Sequence, residues 1–76
     1  MSRARRKRVE DLAALIIQIA SRDVFGSVGR VLIPELEIEG YSYDEISEAL
    51  SVLREEGYRI TVVGDIVKID FSASKG

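Results

Sequence analysis

The feature that most constrains this chain is "YRITVVGDIVKIDF" at residues 58–71, two apolar, β-branched runs separated by Gly64 and Asp65. A glycine-led two-residue loop between such runs is a hairpin signal. Counting outward from the loop pairs Val63 with Ile66, Val62 with Val67, Ile60 with Ile69 and Tyr58 with Phe71, assigned to an apolar face. Thr61 then meets Lys68 and Arg59 meets Asp70 on an alternate face, as expected of a half-buried antiparallel ribbon. Just ahead of the hairpin, Ser42 precedes Glu45 by three residues and is flanked by Tyr41 and Ile46. That is a capping box with a hydrophobic staple. Ile46, Ala49, Leu50 and Leu53 make one narrow apolar face and Gly57 supplies a stop, so a helix is expected over residues 43–56.

Upstream, Leu12, Leu15, Ile16 and Ile19 recur at helical spacing from residue 9, and Glu10 and Asp11 suit a helix start. Ala13, Ile17 and Ala20 widen the apolar surface of this helix. A helix so broadly apolar either sits centrally or offers one side, through Ala13 and Ile17, to a second copy of the chain. Glycines mark residues 26–29 as a loop, and "RVLI" at 30–33 reads as a short strand. "PELEIE" at 34–39 reads as a short helix opened by Pro34, although Leu36 and Ile38 at a spacing of two suit an extended segment equally well.

The order helix, short strand, short helix, capped helix and hairpin resembles the winged-helix (winged helix-turn-helix) family. The likeness is carried chiefly by "YDEISEALSVLREEGYRITVVGDIVKI", with its polar start, core-spaced Ile and Leu, "L-x-x-x-G" helix end and wing. It implies a small α+β winged-helix domain over residues 9–71. That domain holds three helices, the second one short, an antiparallel β-hairpin wing and a short additional strand. A basic flexible arm at 1–8 and a polar tail at 72–76 complete the expected organisation.

Charge is distributed unevenly. Five of the eleven Lys and Arg residues fall in "RARRKR" at 3–8, leaving six basic against thirteen acidic residues, a net of −7, over residues 9–76. Arg3, Arg5, Arg6, Lys7 and Arg8 next to a folded body resemble arms that track phosphates, and five phosphate contacts give a salt slope of roughly −4 to −5 on log axes. Arg54, Arg59 and Lys68 are candidates for a smaller patch near the wing, and Ser47 and Ser51 for contacts from the third helix. The outward side of that helix, with Asp44, Glu48 and Glu55, instead opposes a duplex, because carboxylates repel phosphates.

Two readings follow. In the first, the chain is a small DNA-binding protein, a transcription regulator or a replication or nucleoid accessory factor, anchored on double-stranded DNA by its arm, with a homodimer expected. In the second, it is a protein-protein interaction module that uses Glu48 and Glu55 on the third helix, or Ala13 and Ile17 on the first. The chain has neither Cys nor His, which removes thiolate and imidazole chemistry, and no segment matches a phosphate-cradling loop, so no enzyme, cofactor, metal or small-molecule substrate is expected. The longest apolar run, "LAALII", falls far below the roughly 20 residues that span a bilayer, and an intracellular, soluble protein is expected.

Overall fold

The computed structural model describes residues 3–72. Seven elements follow one another: α1 (Arg3–Arg22), β1 (Val24–Phe25), β2 (Val28–Leu32), α2 (Ile33–Ile38), α3 (Tyr43–Glu55), β3 (Arg59–Val63) and β4 (Ile66–Asp70). The strands form one antiparallel sheet in the order β1-β2-β4-β3, so β2 is inserted beside the far strand of the hairpin. Three helices with a hairpin and a strand laid against it are compatible with a small winged-helix-like fold. No helix among the described residues is long and apolar enough to cross a membrane.

α3 follows its sequence signals closely. Ser42 Oγ accepts a hydrogen bond from the Glu45 amide at 3.2 Å, and Glu45 Oε1 accepts one from the Ser42 amide at 2.9 Å, which closes the capping box. At the other end Gly57, at φ 106°, allows its own amide to reach the Arg54 carbonyl and the Tyr58 amide to reach the Leu53 carbonyl. This left-handed stop satisfies carbonyls that the helix leaves open.

The hairpin register is the counted one in all five pairs from Arg59–Asp70 to Val63–Ile66, and the Tyr58 and Phe71 rings meet edge to face at 6.1 Å. One assignment needs correcting. Side chains alternate along a strand, so Val63 and Ile66 share the outer face with Thr61, Lys68, Arg59 and Asp70, and Val63 is 54% exposed. Arg59 stands opposite Asp70 as counted, and the Asp70 carboxylate accepts from the hydroxyls of Ser27 and Ser72 and from the Ser72 amide.

The open choice at residues 34–39 resolves as helix, with α2 running over Ile33–Ile38: Leu36 is fully buried while Ile38, two positions on, is 84% exposed, since a helix turns residues two apart to different sides. The wing turn is tied down, with the Ile33 amide bonded to the Asp65 carbonyl at 2.8 Å. The core lies between the helices and the inner sheet face, around Leu12, Ile16, Val31, Leu36, Ile46, Leu53, Val67 and Ile69. Gly29 sits where β2 passes closest to the end of α1, and a Cβ there would run into the Ala20 carbonyl.

The largest departure is at the beginning. Residues 3–8 are the first turns of α1 and not a flexible arm. Taken alone, such a start is poor: the first turn holds no acidic residue and several cations, which the positive end of the helix dipole opposes. Arg6 and Lys7 pair with Glu10 and Asp11 one turn on, at 4.0 and 3.4 Å. Those exposed pairs add little. What holds the segment is its contact with α3.

Candidate interaction surfaces

Arg8 closes a clamp onto α3. Its Nε donates to Glu45 Oε2 at 2.6 Å and its Nη2 to Glu45 Oε1 at 3.0 Å, a bidentate pair. The same Nη2 donates to the Gly40 carbonyl at 2.9 Å, and the guanidinium lies over the Tyr41 ring, 4.9 Å from its centroid. Glu45 is the sole buried charged residue among those described. The bond from Arg8, and after it the Ser42 amide, hold its carboxyl well below the usual 4.5, at about 2, against the opposing effect of burial. The Glu45 bond raises the Arg8 guanidinium correspondingly. One carboxylate therefore caps α3 and anchors α1. One turn earlier Arg5 Nη2 meets Glu48 Oε1 at 2.9 Å.

The sequence-derived candidates divide accordingly. Arg5 and Arg8 face α3, whereas Arg3, Arg6 and Lys7 occupy the solvent side, the side chains of Arg6 and Lys7 being about three-quarters exposed. Arg54, Arg59 and Lys68 do not form a common patch. Arg54 lies in a groove between α3 and β3, its Nη2 donating to the Ile60 carbonyl at 3.4 Å. Arg59 and Lys68 lie on the outer face of the sheet, which is the other side of the hairpin. Ser47 shares the groove with Arg54, while Ser51 lies with Asp44 and Glu55 on the exposed ridge of α3. Glu48 is half-buried against α1, not free on that ridge. Of the two residues expected at an α1 dimer face, Ala13 is buried in the core and Ile17 is partly buried against it.

Two features of these surfaces have no local signal in the sequence. Glu45 reads as a cap, and nothing local indicates that a residue 37 positions earlier would bind it. Arg30 stands opposite Lys68 across β2 and β4, a like-charge pair that only the pairing of distant strands reveals. The groove between α3 and β3 is a shallow cavity of about 110 Å³ lined by Ile33, Tyr43, Ile46, Leu50 and Val62 besides Ser47 and Arg54. Among the described residues no group of acidic side chains is placed to hold a metal ion.

Comparison with protein-family models, with curated proteins and with solved structures gave no significant match. The functional reading therefore rests on the surfaces of this chain itself.

Proposed function

We propose that this chain is a protein-interaction module of winged-helix-like form, working inside the cell and presenting the ridge of α3 to a basic surface of a partner protein. The observation that carries the reading is the exposed ridge of Asp44, Ser51 and Glu55, whose two carboxylates form no ion pair among the described residues. Two cations of the N-terminal run bind Glu48 and Glu45 at the side of α3 and leave that ridge acidic. Phosphates approaching α3 as they would a recognition helix meet like charge, whereas lysine and arginine side chains meet complementary charge.

The test is an NMR titration of the intact chain with a lysine-rich amphipathic peptide and, in parallel, with a duplex of matched length. The peptide is expected to shift the amides around Asp44, Ser51 and Glu55, and Asp44→Lys with Glu55→Lys to weaken it at least about tenfold. Shifts along this ridge with the duplex but not with the peptide contradict the reading.

A second reading, duplex DNA held by α1, is favoured by one observation: Arg3, Arg6 and Lys7 share the solvent side of its first turns. Three phosphate contacts correspond to a salt slope of about −3, against about −4 to −5 for all five cations of the run. The slope measured for any duplex binding distinguishes α1 as folded from a detached arm.

A further inference from the structure

β3 is an edge strand, and its free side is built for pairing. The loop Gly64-Asp65 has two residues, with Gly64 at φ 60°. In such a hairpin the flanking pair, Val63 with Ile66, exchanges hydrogen bonds, and alternate pairs follow suit. Thr61 and Arg59 therefore turn their backbone groups toward β4, whereas Ile60 and Val62 turn theirs away from it. The bond from Arg54 to the Ile60 carbonyl comes from that outer side and agrees with this parity. The edge strand has no proline, no lysine and an unbroken ladder of five pairs; its guards are the single charge of Arg59 and the Arg54 side chain at the Ile60 carbonyl. It is also apolar, with Val62 38% and Val63 54% exposed and Tyr43, 60% exposed, beside the groove.

We propose that two copies of this chain associate through β3, pairing antiparallel about Thr61, so that two four-stranded sheets become one of eight strands. The register follows from the parity. Ile60 and the Val62 of the second copy exchange hydrogen bonds, twice by symmetry, and Thr61 meets its own counterpart in the intervening pair without hydrogen bonds. Arg59, the single charge in β3, falls opposite Val63 of the second copy, so no cation meets a cation. Val62 gains an apolar neighbour on the inner face, over the hollow lined by Tyr43 and Leu50. The contact is isologous and closes at two copies. The other edge strand, β1, has only two residues and offers no comparable ladder. Arg54 gives up one long hydrogen bond to admit the strand. The dimer is independent of whatever the ridge of α3 binds.

The chain contains no cysteine, which makes an introduced thiol diagnostic. Thr61→Cys is expected to oxidise readily to a covalent dimer, because Cα atoms in such a pair lie about 4.5 Å apart. A thiol at Arg59, four residues from its counterpart in this register, is expected not to. Sedimentation of the intact chain is expected to show a concentration-dependent dimer. Val62→Lys, which leaves the backbone unchanged, is expected to raise its dissociation constant by roughly a hundredfold, since two valines lose their cover. In the dimer the Ile60 and Val62 amides are protected from hydrogen exchange. A strict monomer at high micromolar concentration overturns the proposal. So does a dimer that Val62→Lys leaves intact, or cross-linking through Arg59→Cys as fast as through Thr61→Cys.

Discussion

Gly29→Ala is expected to cost more stability than any other single methyl group added to this chain. The new Cβ would collide with the Ala20 carbonyl oxygen and lie 2.9 Å from both its carbon and the Ala20 Cβ. Two of those three atoms are backbone of α1, so no rotamer change relieves the clash, and α1 must lift from β2. Overpacking costs typically 1–3 kcal/mol and occasionally more; an obstruction by backbone belongs at the upper end, about 3 kcal/mol. A domain of this size has only roughly 4–11 kcal/mol in total. The thermal midpoint followed by circular dichroism is expected to fall by roughly 12–24 °C. Adding Ala20→Gly removes the Cβ contact and leaves the carbonyl in place, so the double variant is expected to recover only a fraction of the loss. A midpoint unchanged by Gly29→Ala places β2 farther from α1 than described.

The second large effect depends on pH. In the folded chain Glu45 titrates at about 2 in place of the usual 4.5, chiefly because of Arg8. A carboxyl whose folded-state pKa is depressed favours the fold when ionised. Its contribution is complete above about pH 4.5 and is lost as pH falls through about 2. Urea midpoints measured from neutral pH downward are therefore expected to decline over that window. Arg8→Met keeps most of the aliphatic stem over Tyr41 but removes the guanidinium. It is expected to lower the midpoint at neutral pH, where it leaves a buried carboxylate without its cation, and to flatten the decline toward pH 2. Glu45→Gln is expected to give the same flattened profile. A wild-type decline that Arg8→Met leaves unchanged assigns the acid sensitivity to other carboxyls.

How much was legible follows from the range over which each determinant acts. The capping box of Ser42 and Glu45, the Gly57 stop and the hairpin register are all set within a few residues, and all stand as read. Val63 is apolar, which points to the core face, but the alternation along β3 puts it with Thr61 on the outer face. β1 offered no signal, since two residues become a strand only through pairing with Gly29 and Val28. The start of α1 misled for a stronger reason. Every local indicator, from five cations near the positive end of a dipole to Glu10 and Asp11 further in, favours a helix beginning at residue 9. The contacts that override them join residues 37 and 43 positions apart. The same contacts take Arg5 and Arg8 from the expected phosphate-binding set and leave the ridge of α3 acidic.

Residues 1–8 therefore distinguish a clamp from an arm, and a urea melt of the chain lacking them, set beside the intact chain at neutral pH, decides between the two. If α1 is clamped to α3, the truncation removes both guanidiniums from Glu45 and Glu48 and uncovers Val9, and the midpoint falls markedly. A midpoint equal to that of the intact chain shows that the basic run hangs free of the fold and contradicts the clamp.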